Sequence, residues 1–229
     1  MIKLGIVGGT GPESTMVYYQ KLNYGYQNKR QRHDVFPSMT IESINIYEML
    51  NRIARKDWQG TVDLLNGAIE NLKNAGASLA TLSAITPHIV FRQLHEVSPL
   101  PLVNMLELTA NYCVANHYKH PLLLGTRFTM DHDFFVTTLQ QAGIEVSLPT
   151  TQGREFVGNK IMSELEKGLF KDDTKQAFIK LINQFDQIDS VILGCTELPI
   201  LIKQSEVALP MIDPMQIHID YLINQMTTK

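Results

Sequence analysis

Val191-Ile-Leu-Gly-Cys-Thr-Glu-Leu-Pro199 runs three apolar residues into Gly194 and then sets a thiol, a hydroxyl and a carboxylate in a row. The apolar run predicts a parallel strand buried on both faces. Gly194 to Glu197 then falls at that strand's carboxyl end, which is where open α/β sheets bind their ligands. Cys195, Thr196 and Glu197 are therefore candidates for chemistry. A free cysteine is also commonly a small buried hydrophobe, and the surrounding chain has to decide between the two.

Working outward, strand-like and helix-like segments alternate along all 229 residues. That order predicts an α/β protein with mainly parallel sheets. The length allows a sizeable core, as one large domain or two half-size ones. A formal net charge of −3 gives no support to a nucleic-acid or membrane-surface role. No apolar stretch approaches the length of a membrane span. The opening Met1-Ile-Lys-Leu-Gly-Ile-Val reads as a first strand and not as a signal peptide. Of the two cysteines, Cys113 lies on the apolar face of a helix expected over 106–116 and reads as inert core. Neither its spacing to Cys195 nor its context suggests a disulfide or a zinc site, so a reducing cytoplasm is the default expectation.

Four further strand ends carry polar groups. Leu4-Gly-Ile-Val-Gly-Gly-Thr-Gly-Pro-Glu-Ser-Thr15 is a short strand, a glycine-rich turn and a helix start with Pro12 in a tolerated position. The backbone N–H groups around Gly9, Thr10 and Gly11 suit an anion. The spacing of Gly8, Gly9 and Gly11 is not that of a dinucleotide fingerprint, so a carboxylate fits as well as a phosphate. Asn45 stands near the end of a second strand over 39–45, as a site edge or simply a turn. Leu79 to Ile85 is a third strand that runs into Thr86-Pro87-His88, and Leu122-Leu-Leu-Gly-Thr-Arg-Phe-Thr129 repeats the strand and Gly-Thr turn. Glu145-Val-Ser-Leu-Pro is expected as another strand, and helices are expected over 131–142, 156–168, 172–185 and 214–226.

The chain echoes itself. The Gly5 to Met16 stretch resembles Leu123 to Met130, and Thr81 to His88 resembles Ser190 to Glu197, at similar separations. This layout predicts two similar lobes, residues 1–103 with 212–229 and residues 104–211, facing one ligand in the cleft between them. Two faces offered to one small ligand suit the movement of a proton from one side of a carbon to the other.

At this point the chain resembles the aspartate/glutamate racemases of the cofactor-independent amino-acid racemase superfamily. The resemblance rests on Gly8 to Thr15 with Tyr18-Tyr19, Thr86-Pro-His88, Gly125 to Thr129, Gly194 to Glu197, and Asp213 to His218. It implies two pseudo-symmetric Rossmann-like lobes, a homodimer, no pyridoxal phosphate and no metal. It also implies a dicarboxylic amino acid between the lobes, with one cysteine from each lobe acting on opposite faces of the α-carbon. Here the pattern is broken. The family's first-lobe Cys-Asn-Thr-x-His is Ala84-Ile-Thr-Pro-His88, so the first cysteine and the asparagine are both absent. Ser83 is the nearest hydroxyl, one residue early in the strand and expected to face away.

Cys195 is thus expected to be the sole catalytic thiol, with Thr196, Glu197 and His218 as groups that orient it or tune its ionisation. The turn at Gly9, Thr10 and Gly11, with Asn45, Thr86, Thr126 and Thr129, would hold carboxylates and amine. Arg127, Arg154 and Lys160 are candidates for the distal carboxylate; the ionised Ser83 hydroxyl is too basic to be populated near pH 7 in place of a thiolate, so His88 or a water is the candidate for returning the proton. The expected activity is racemisation of aspartate or glutamate, biased in direction by the change at Ala84. The alternatives are a single-cysteine decarboxylase or isomerase of the same superfamily and a catalytically silent dicarboxylate-binding protein.

Overall fold

The computed structural model describes residues 2–228. In chain order the elements are β1 (Leu4–Gly8), α1 (Pro12–Arg30), β2 (Met39–Ser43), α2 (Ile46–Ala54), α3 (Trp58–Asn74), β3 (Leu79–Leu82), α4 (Phe91–Val97), β4 (Leu102–Val103) and α5 (Met105–Ala115). They continue with β5 (Pro121–Gly125), α6 (Arg127–Asp131), α7 (Phe134–Gln141), α8 (Thr151–Ser163), α9 (Asp172–Ile182), β6 (Ser190–Gly194), α10 (Leu198–Leu201), β7 (Met211–Ile212) and α11 (Pro214–Thr227). The chain forms two compact units, Met1–Met105 with His218–Lys229, and Leu106–Ile217.

In the first unit four parallel strands lie in the order β2-β1-β3-β4. All five residues of β1 are buried, as a central strand covered on both faces requires. From α1, Tyr18, Leu22 and Tyr26 are buried at i, i+4 and i+8, one helical face. From α3, Val62, Leu65, Ile69 and Leu72 do the same. The approach of α3 to β1 is close: a Cβ on Gly5 would lie 3.0 Å from Leu72 Cβ.

The second unit holds β5-β6-β7, also parallel. Its core joins Leu122, Leu124, Val191 and Leu193 from the strands to Val157 and Ile161 from α8 and Phe178 and Ile182 from α9. The strand expected over 145–149 shrinks to one parallel bridge, Leu122↔Ser147. It is held by Leu123 N–H donating to Ser147 O at 2.9 Å and Ser147 N–H to Pro121 O at 2.9 Å. Pro149 has no N–H with which to continue the ladder.

The internal echo is visible as register. Val7 pairs with Leu82 in the first sheet, and Leu124 pairs with Leu193 in the second. Two residues beyond Leu82 comes Ala84, and two beyond Leu193 comes Cys195. Ala84 therefore holds in its own sheet the position that Cys195 holds in the other.

Several expected boundaries move for local reasons. The helix expected over 131–142 is two helices, because Thr126 caps an earlier start, its Oγ1 accepting from Thr129 N–H at 3.2 Å. The helix expected from 156 begins at Thr151, capped by Thr150 Oγ1 accepting from Gly153 N–H at 3.2 Å. Thr86–Val90 is a 3-10 turn that leads into α4. Ile212, expected in the first lobe, pairs with Ile192 in the second sheet.

Candidate active site

At the strand ends of the first sheet the chain turns sharply through Gly8-Gly9-Thr10-Gly11. Gly9 has φ +75°, and a Cβ there would lie 2.2 Å from Ile44 O, so only glycine fits. Thr15 in the first turn of α1 ties the loop down, its Oγ1 accepting from Gly9 N–H at 3.0 Å and its N–H donating to Gly11 O at 3.1 Å. Thr10 is buried, and among the described residues its Oγ1 has no hydrogen-bond partner. The turn thus keeps the Thr10 hydroxyl beside the end of β1.

Ser83, Ala84, Thr86 and His88 follow β3. Ser83 is fully buried and donates to Val7 O at 3.1 Å, while its own carbonyl accepts from Ser14 Oγ. This corrects its candidacy for proton transfer: its hydroxyl binds the sheet. Ala84 is partly accessible and brings only a methyl group. Thr86 is partly accessible at the start of the 3-10 turn. His88 is corrected as well. Its Nδ1–H donates to Ala84 O at 2.9 Å and to Ile85 O at 3.2 Å, and its Nε2 accepts from Met105 N–H at 3.3 Å. Both nitrogens are committed, and burial lowers its pKa to about 4, so the ring is neutral and structural near pH 7.

His218 is equally structural. It is fully buried, with Tyr18 OH at 2.7 Å from Nδ1 and Thr81 Oγ1 at 2.7 Å from Nε2. Burial, with His88 nearby, lowers its pKa to about 3. Its two bonds, to Tyr18 and Thr81, both lie within the first unit. Asn45 is exposed and caps α2, its Oδ1 accepting from Tyr47 N–H at 3.0 Å. An open hollow on the same helix includes Arg52, which is held by Glu48 and Asp57.

In the second unit, Cys195, Thr196 and Glu197 follow β6 directly and all three are partly accessible. Gly125 and Gly194 are paired, and a Cβ on either would meet the other strand's backbone, at 2.8 Å from Gly194 O or 2.9 Å from Leu124 O. Strand ends without side chains let the two loops lie close together. Cys195 Sγ donates to Glu197 Oε2 at 2.8 Å. Burial raises the thiol's pKa well above its ordinary value, and the charge of Glu197 raises it further, with a smaller push from Glu166. The sulfur is therefore protonated near pH 7. Thr126 and Thr129 form the other loop, their hydroxyls 3.1 Å apart.

The three cations expected for a distal carboxylate are all committed elsewhere. Arg127 pairs with Asp131 at 2.6 Å and Arg154 with the same carboxylate at 3.2 Å. Lys160 lies 2.6 Å from Glu164. Glu164 is a buried carboxylate whose pKa falls to about 2 through its bonds to Lys160 and Thr174, assisted by Lys171. Lys160, expected as a ligand-binding group, is the partner of that carboxylate in this structure.

Sequence reasoning passed over Ser14, Tyr18, Thr81 and Glu166 as contributors. Ser14 and Tyr18 sit in quoted motifs, and a hydroxyl in the first turn of α1 was the available signal. Glu166 reaches Cys195 only through the tertiary fold. Among the described residues no group of three or more His, Cys, Asp and Glu side chains could hold a metal ion, and no helix is long and apolar enough to cross a membrane.

The family model described as Asp/Glu/Hydantoin racemase matches residues 7–222. Among solved structures the chain is similar to an aspartate racemase homologue from Pyrococcus horikoshii, with 35% identity, TM-score 0.89 and 100% of each chain covered. It is similar to a candidate Asp/Glu racemase from Yersinia pestis, with 28% identity, TM-score 0.92 and 100% of each chain covered. It is also similar in fold to an aspartate racemase from Picrophilus torridus, with 24% identity and TM-score 0.76, covering 100% of this chain and 96% of that one.

Proposed function

Because the chain belongs to the Asp/Glu/Hydantoin racemase family, we propose that it moves the α-proton of a small dicarboxylic amino acid, aspartate or glutamate, with Cys195 as its one catalytic thiol. The observation that carries this is the Cys195 Sγ–Glu197 Oε2 hydrogen bond of 2.8 Å at the carboxyl end of β6. That thiol is hydrogen-bonded to a side-chain carboxylate and partly accessible, whereas Cys113 is fully buried.

The chemistry follows from the residues. An α-proton beside a carboxylate is very weakly acidic, so its loss needs a placed base and support for the developing enolate. Hydroxyls supply that support in this reading: Thr10, whose Oγ1 has no partner among the described residues, Thr86, and Thr126 with Thr129 and Thr196. The proposed steps use no cofactor. At rest Cys195 carries its proton, so the sulfur enters as donor, and it becomes a base only after that proton has gone elsewhere. Ala84 offers no second thiol in the equivalent position, which supports a strong bias toward one enantiomer.

The experiment is chiral separation of products from each enantiomer of aspartate and glutamate, wild type beside Cys195→Ala. The expected result is conversion of one amino acid that the variant lowers by at least about a hundredfold, the scale of a lost general acid or base. Equal turnover by the variant would refute the role of Cys195. The same one-sided thiol also favours a second reading, a decarboxylase that protonates a planar intermediate from one face. Release of carbon dioxide from a malonate-type acid, without racemisation of either amino acid, would replace the first reading with that one. Binding of dicarboxylates without either reaction would leave a silent binding protein.

A further inference from the structure

Resting on that reading of the site, we propose that Cys195 and Glu197 act as a dyad holding a single proton, with the Glu197 carboxylate as the immediate acceptor of the thiol proton when Cys195 must act as a base. Glu197 is then a positioning residue that works through Cys195 and does not itself reach the substrate.

The geometry is local and directed. Glu197 starts α10, with Ile200 N–H and Leu201 N–H donating to its main-chain oxygen at 3.0 and 3.1 Å. Leu198 N–H closes the turn onto Cys195 O at 3.2 Å. These bonds fix both backbones, so the side chains at i and i+2 meet with Sγ and Oε2 2.8 Å apart. That carboxylate accepts from Cys195, and among the described residues no Lys or Arg forms an ion pair with it. The other charged group acting on the thiol is Glu166, in the 3-10 turn Leu165–Lys167, also an anion. Two carboxylates and no cation make a thiolate beside an ionised Glu197 the costly state. A proton lost from sulfur to Oε2 avoids it, because the pair keeps one proton and one negative charge throughout.

The steps balance. At rest the pair is thiol and carboxylate. The S–H proton passes to Oε2, giving thiolate and carboxylic acid. The thiolate takes the α-proton: the Cα–H bond breaks, its electron pair passes into the enolate, and the pair now holds thiol and carboxylic acid. On return the S–H proton goes to the α-carbon and the Oε2 proton moves back to sulfur. The dyad is restored with no other donor on that face. In deuterium oxide the proton that sulfur has taken from the α-carbon exchanges with solvent before it is returned, so the returned atom is deuterium.

A simple electrostatic brake predicts the opposite result to a relay, and this separates the two. If Glu197 only raises the thiol pKa, Glu197→Gln yields more thiolate and faster α-proton exchange. If Glu197 is the acceptor, the variant yields more thiolate and slower exchange. The experiment measures alkylation of Cys195 by iodoacetamide across pH, and α-proton exchange of aspartate and glutamate in deuterium oxide, for wild type, Glu197→Gln and Glu197→Asp. Cys113 is fully buried, and burial pushes its thiol up to about 12, so it stays silent in the folded protein. The expected result for Glu197→Gln is alkylation near pH 8 about tenfold faster, the effect of roughly one pKa unit, with exchange at least about tenfold slower and partly restored in Glu197→Asp. Unchanged alkylation would overturn the shared proton, and faster exchange would overturn the relay. The alkylation arm needs no substrate. If wild type exchanges neither amino acid, the racemase reading fails while the shared proton is still decided by alkylation.

Discussion

At His218 a residue that reads as a site group from its motif proves to be a core group. Its two ring nitrogens are taken by Tyr18 and Thr81, which lie 200 and 137 positions away in the chain. Local sequence carries no trace of such partners. The Cys195–Glu197 pair is the contrary case, since residues two apart at the end of a strand were legible before any fold was known. His88 and His218 together make a pH prediction. Both have folded pKa values, about 4 and about 3, below the ordinary 6.5, because burial disfavours the charged ring. The unfolded chain therefore binds protons first. Stability is complete above pH 6.5 and falls as the pH drops through 6.5 toward these folded values. At 1.36 kcal/mol per unit, the loss for His88 alone is on the order of 3 kcal/mol. Denaturant unfolding of wild type and His218→Asn between pH 7.5 and 4.5 should show a steep wild-type decline and a shallower one in the variant. Parallel slopes would show that His218 does not titrate on unfolding.

At the level of elements, strand ends and turns were the legible part. Apolar runs closed by Gly-Thr or Gly-Cys-Thr predicted β1, β5 and β6, a run closed by Thr86-Pro-His predicted β3, and the candidate residues follow these strands. Helix starts were harder. The caps at Thr126 and Thr150 depend on a hydroxyl choosing its own helix, and a threonine before an apolar run does not announce that choice. The strand expected from Glu145 failed because Pro149 ends the ladder after a single bridge. The equivalence of β3 and β6 makes its own prediction. Since Ala84 and Cys195 occupy the same register position in their two sheets, Ala84→Cys supplies a thiol where the first sheet has a methyl group. Chiral separation should then show inversion at least about tenfold faster than wild type, at the low end of the gain from one added acid or base. An unchanged rate would mean that the residue at this position does not limit the reaction.

Across the whole molecule, the α/β class and the repeated strand layout could be read from the order of motifs. The placement of charge could not. Arg127, Arg154 and Lys160 each stand near a motif, yet each is paired to a carboxylate that the fold brings to it, Asp131 or Glu164. Each unit carries hydroxyls at its strand ends, Thr10 in the first and Thr126 with Thr129 in the second, where the protonated thiol of Cys195 also lies. The account therefore stands on Cys195. Its most direct test is proton NMR in deuterium oxide, following the α-proton of each enantiomer of aspartate and glutamate with wild type and with Cys195→Ala. The account predicts loss of the α-proton signal from one enantiomer with the wild-type protein and none with the variant. Equal loss with both proteins, or no loss from any of the four with a folded wild-type sample, would contradict it.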